Sequence, residues 1–158
     1  MASTYNEQMQ KLVAEYRQAG NPWPATAYDM AAWAVRTGRW EPPRELAIDR
    51  CADDLARAMR EEFITDRQGR RVRAKHAARR EVNGEQMTFW ADLRTAPREH
   101  MEVAFAQRRQ QVVADCAQLK RDVDSYNENF NREDEPIQMV FDFTMDLMEL
   151  EAVASMSR

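Results

Sequence analysis

A chain of 158 residues, 44% hydrophobic and 32% charged, has the size of one globular domain, or of a small domain with a long appended helix. No apolar run approaches the ~20 residues of a membrane span, and two cysteines are too few for a disulfide scaffold, so a reducing cytoplasm is the expected compartment, with no membrane partner. No basic stretch runs into an apolar one near the N-terminus, and no signal peptide is expected. The net charge of −4 hides a split, because residues 63–80 carry +6 and residues 122–151 carry −9. Such asymmetry informs about partners rather than fold.

In chain order, Thr4 and Glu7 have capping-box spacing, in which hydroxyl and carboxylate each satisfy an orphan amide. Tyr5, Met9, Leu12, Val13 and Tyr16 then recur on one helical face until Gly20. A second helix is predicted from Pro24 or Ala25 to Gly38, with Tyr28, Ala31, Ala32 and Val35 inward and Trp33 on a flank. After Pro42-Pro43, a third helix is predicted from about Arg44 to Glu62, burying Ile48, Cys51, Leu55 and Met59.

The periodicity then changes. Phe63-Ile64 begins a strand, Asp66 to Gly69 reads as a turn, and Arg71 to Lys75 reads as the return strand. Asn83-Gly84 signals a two-residue hairpin turn, because both central positions of a type I′ turn need positive φ. Met87, Phe89 and Trp90 would form the strand beyond it. Pro97 opens a helix to about residue 129, on which Val112, Cys116, Leu119, Val123 and Tyr126 alternate at four-three spacing. That stripe fits either a dimer seam or packing on the chain's own helices. Residues 137–147 alternate like a strand but also fit a helix, and Pro136 with its acidic neighbours favours a helix over about 135–153.

Catalysis has little to work with. Two histidines and two cysteines show no nucleophile, triad or zinc spacing, and Cys51 and Cys116 are expected to be buried thiols. Asp53-Asp54 lacks calcium-loop spacing. All four glycines are taken by helix ends and turns, which leaves none for a phosphate-cradling loop. No catalytic residue, metal or cofactor is therefore expected.

The basic hairpin carries the functional expectation. Arg71, Arg73 and Lys75 alternate, so they project from one strand face, and Arg67 and Arg70 sit at the tip. Each phosphate they neutralise would release counterions. The order helix, helix, helix, basic hairpin over about residues 5–92 resembles a winged helix-turn-helix module. That resemblance implies a third helix, here 44–60 with Arg50 and Arg57, entering the major groove, and a wing, here Arg67, Arg70, Arg71 and Arg73, on backbone or minor groove. Residues 44–62 nevertheless hold four arginines against six acidic side chains, so the helix would present only Arg50, Arg57 and their neighbours, or the wing alone would be the contact, or the fold would serve protein binding. The bland reading of the arginine run is a solvated face paired with acidic helices.

The expected fold is mainly α. A winged-helix-like domain of three helices and a small antiparallel sheet would span 1–94, and a long helix plus an acidic, apolar C-terminal helix would span 95–158. The expected function is binding of nucleic acid, double-stranded DNA foremost, by a transcriptional or accessory regulator. The alternative is a non-enzymatic interaction or assembly module. It would use the long helix for a homodimer and Phe141, Phe143 and Leu147 of the C-terminal segment for a protein partner.

Overall fold

Thr4 caps the first helix as its spacing predicts. Its hydroxyl accepts from the Glu7 amide while the Glu7 carboxylate accepts from the Thr4 amide. The computed structural model describes residues 3–43 and 46–157, so the predicted helix start at Arg44-Glu45 lies outside the described residues. The elements are α1 (Tyr5–Gln18), α2 (Ala27–Arg36), α3 (Leu46–Glu61), β1 (Phe63–Thr65), β2 (Arg71–Arg73), β3 (Lys75–Val82), β4 (Glu85–Asp92), α4 (Arg98–Asn129) and α5 (Thr144–Met156). The described chain is thus rich in helix, with two small antiparallel sheets. No described helix is long and apolar enough to cross a membrane.

The chain divides into two compact units, Met1–Ala52 and Asp53–Arg158. The expected boundary at residue 94 falls inside the second unit, because α4 packs along β3. In the first unit, Tyr16, Trp33 and Ala34 form the buried cluster, with Leu12, Ala25, Met30 and Trp40 packed around it. Trp33 meets Tyr16 edge-on at 5.5 Å between ring centroids, a favoured aromatic geometry. The inward face of α2 is therefore Met30, Trp33 and Ala34, while Tyr28 and Val35 are exposed. The expected stripe put the largest apolar side chain on a flank, and its burial decides the rotation. The helix also starts later than expected. Thr26 accepts from the Asp29 amide at 3.1 Å, satisfying a helix donor as Pro24 cannot. The expected inward face of α3 stays outward, with Ile48, Cys51 and Leu55 exposed and Met59 half-buried.

In the second unit, the Asp66–Gly69 turn joins β1 to β2, and Asn83-Gly84 joins β3 to β4 with φ of 51° and 82°, as a type I′ turn demands. The expected single sheet is two. β2 and β3 are joined by a bend at Ala74, whose amide donates to Glu62 O (2.9 Å) and whose carbonyl accepts from Leu93 N (2.7 Å). Lys75, expected at the end of the first return strand, begins β3 and grips both sides of this join, with Nζ 3.0 Å from Glu62 and 3.1 Å from Asp92.

α4 lies close to β3 because the facing side chains are small. Ala74, Ala78 and Ala104 are buried, and two histidines fill the remaining space. His100 Nε2 donates to the His76 carbonyl and His76 Nε2 to the Arg73 carbonyl, each at 2.9 Å. Gln107 completes the attachment. It accepts from the Arg79 amide (2.7 Å) and donates to the Arg79 carbonyl (2.8 Å).

The last segment is a mixture of the two readings. Residues 135–143 are not helical, and α5 starts only at Thr144. The Asn127 side chain holds both the amide and the carbonyl of Ile137, at 2.9 and 2.8 Å. Those backbone groups are thus spent on a side chain rather than on a helical turn.

Charge pairing limits the pH range of the second unit. Arg94, through side chain and amide, and then Lys75 hold the Asp92 carboxyl far below the usual carboxylate range. The Arg70 amide and side chain lower Asp66, while Glu62 and Asp92 raise Lys75. The two depressed carboxyls stabilise the fold above their ordinary value near ~3.9, and this is lost as pH falls through their lower native values. The raised lysine acts in reverse: its contribution is complete below about 10.4 and lost as pH rises through its native value. The urea midpoint read by tryptophan fluorescence should fall below about pH 4, and Asp92→Asn should flatten part of that fall. An identical pH profile for wild type and Asp92→Asn would contradict the assignment.

Candidate nucleic-acid interface

The alternation that aligns Arg73 and Lys75 continues through Ala77 to Arg79, because side chains two apart share a strand face. Across the hairpin, the register puts Trp90 opposite Ala77 and Thr88 opposite Arg79. This face, the flank of α4 and the end of α3 enclose a cleft of about 320 Å³ lined by Arg60, Arg73, Lys75, Arg79 and Arg108 with Trp90, Thr88, Gln107 and Gln111. A second cavity of about 490 Å³ adjoins it, sharing Arg73, His76 and Arg108 and adding Arg71, Phe63, Val72, Leu93 and Phe105. Among the described residues, no carboxylate lines either space.

The cations differ in what they are free to do. Lys75 is neutralised by Glu62 and Asp92. Arg60 lies over the Trp90 ring at 5.8 Å from its centroid, and Arg71 over Phe63 at 4.4 Å. Among the described residues, Arg60, Arg71, Arg73, Arg79 and Arg108 make no ion pair. Burial and the neighbouring Arg73 charge lower Arg108 below its ordinary value, the sign expected of a cation crowded by a like charge without a counter-ion.

The expected contacts therefore separate. Arg73 and Arg71 face the paired cavities, and Lys75 faces the cleft as a structural cation. Arg67 is exposed at the β1–β2 turn, away from the lining residues. Arg70 is held by Asp66 at 2.7 Å and Arg57 by Asp54 at 3.6 Å. Arg50 is exposed on α3 in the first unit. The sequence reading missed Arg60, Arg79, Arg108 and Trp90. Extending the period-two count past Lys75 reaches Arg79, but nothing local marks Arg108 or Arg60 as its neighbours.

The other expected surface is exposed along most of its length. Val112, Leu119 and Tyr126 of α4 are exposed, and Cys116 and Val123 are half-buried. Val123 shares a cavity of about 330 Å³ with Ile137, Met139 and Phe141, where the chain folds back along the helix. Phe141 meets Phe143 edge-on at 6.4 Å, and Phe143 and Leu147 are exposed. Neither thiol is buried as expected: Cys51 is exposed and Cys116 intermediate. Among the described residues, no three His, Cys, Asp or Glu side chains converge as a metal site. Compared with known proteins, the chain matches no family model, no curated protein and no solved structure.

Proposed function

We propose that this chain binds nucleic acid, as an accessory or regulatory factor, through the paired cavities beside α4. One observation carries the proposal. A chain of net charge −4 gathers Arg60, Arg71, Arg73, Arg79 and Arg108 around two adjoining hollows that, among the described residues, no carboxylate lines. A solvated arginine face is ordinarily laced with acidic partners, as Arg70 and Arg57 are here. Phosphates are the ligand that several uncompensated guanidinium groups fit, by charge and by planar donor geometry.

Anisotropy of a labelled oligonucleotide, titrated with protein at 50 to 200 mM KCl, tests the proposal. Four phosphate contacts predict a log–log salt slope of about −3 and a loss of roughly 50-fold over that range. No binding at 50 mM would refute it.

A second reading rests on α5. None of its residues is buried, and Met145, Leu147, Met148, Leu150 and Val153 are all more than half exposed. So many large apolar side chains, set among only Asp146, Glu149 and Glu151, are ordinarily covered. The same unit exposes Val112, Leu119 and Tyr126 on α4, so two copies could cover each other's helices reciprocally, in an isologous dimer. Light scattering should then give about twice the chain mass, and Leu147→Glu should return it to one. A monomeric wild type at high concentration would exclude this dimer.

A further inference from the structure

The proposed function leaves the form of the nucleic acid open, and the aromatic side chains decide it. We infer that the paired cavities take a single strand rather than a duplex, with bases against Trp90 and Phe105. This inference rests on the binding function proposed above.

Trp90 is half-buried in the smaller cavity, and Phe105, 49% exposed, lines the larger one. Between them stand Arg73 and Arg108, which both cavities share. Trp90 has Arg60 over its ring at 5.8 Å and Phe105 meets His76 edge-on at 5.2 Å, so both rings are partly open. Cations set beside partly open rings are the arrangement by which proteins hold unpaired strands: the cations track the backbone while the rings accept bases. A duplex can use only the cations. Its bases are stacked on one another, so rings set in hollows find no exposed base face. Each hollow also has the volume of a small-ligand pocket, which a splayed nucleotide can enter and a helix of stacked pairs cannot.

The polar groups beside Trp90 suit a base edge. Gln111 spends its amide N–H on Asp115 at 2.9 Å, which leaves its carbonyl as an acceptor. Thr88 lines the same hollow. Gln107 is committed at both ends to the Arg79 backbone and serves as a wall. Arg71, over the Phe63 ring at 4.4 Å, offers a guanidinium group where the strand would leave the larger cavity.

The test compares a labelled 12-nucleotide oligo(dT) with a 12-base-pair duplex at 100 mM KCl. The single strand should bind at least about tenfold more tightly. Trp90→Ala should weaken the single strand by about tenfold, given the strength of base–aromatic stacking, and leave duplex binding unchanged, while Trp90→Phe should restore the single-strand affinity. Should Trp90→Ala fail to fold, photocrosslinking of a bromouracil strand to the wild type still decides, and the crosslink should map to Trp90 or Phe105. Equal or tighter duplex binding, or crosslinks confined to the Arg67 turn, would overturn the single-strand inference and leave nucleic-acid binding standing. Absence of binding to both probes would overturn the proposed function itself.

Discussion

In a chain carrying both Arg79→Glu and Arg108→Glu, oligonucleotide affinity at 50 mM KCl should fall at least about 100-fold, and the salt slope should shrink by about two. Charge-assisted hydrogen bonds are worth roughly 1.5–3 kcal/mol each, so two lost contacts account for the affinity change before any repulsion is added. Neither guanidinium makes an ion pair among the described residues, so the reversal breaks no salt bridge. Arg108 lies beside the like charge of Arg73, so Arg108→Glu should also replace that repulsion by attraction in the empty protein. Circular dichroism should therefore show an unchanged spectrum and an unchanged or higher melting temperature. The control is Arg67→Glu at the exposed turn, expected to change affinity by less than about threefold, within the range of a peripheral surface charge. Equal losses for the control and the double variant would shift the interface to the turn.

The second large effect concerns stability. Trp33→Ala should unfold the Met1–Ala52 unit and leave the rest of the chain folded. Trp33 is the largest side chain of a three-residue buried cluster, and truncating a core tryptophan costs about 3–5 kcal/mol. A unit of 52 residues has roughly 3–8 kcal/mol of stability in total. The Tyr16 ring would lose its edge-on partner and Arg39 the ring beneath its guanidinium, at 4.5 Å. In a ¹⁵N–¹H correlation spectrum, the dispersed amides of α1 and α2 should collapse while those of β3 and β4 keep their shifts. Retention of both sets would mean that Trp33 is not the centre of that core.

Local signals were legible wherever one or two residues decide a conformation. Thr4 with Glu7, Asn83 with Gly84, and the Pro97 start of α4 all act within a turn of the chain, and each stands where its chemistry puts it. Rotations were less legible. The apolar stripe of α2 counted Tyr28 and Val35 as equal to Trp33, whereas the packing of one indole on Tyr16 outweighs both. The non-helical backbone at Ile137 was hidden because it is held by Asn127, ten residues earlier in the chain.

The interface was half legible for the same reason. Arg71 and Arg73 could be read from strand periodicity, but which cations are free depends on distant carboxylates. Lys75 looked like a third contact until Glu62 and Asp92 claimed it, and Arg108 reaches the cleft only because Ala74, Ala78 and Ala104 let α4 come close to β3.

The grip of Gln107 on Arg79 has one more consequence. An outer strand with open amides and carbonyls invites another chain to add a strand to it, a route to aggregation. Here the outward-facing amide and carbonyl of Arg79 are both taken by a side chain of α4. At that point β3 is closed to a new strand, from another copy or from an extended peptide. Association between copies by extension of the sheet along β3 is thereby disfavoured at that point.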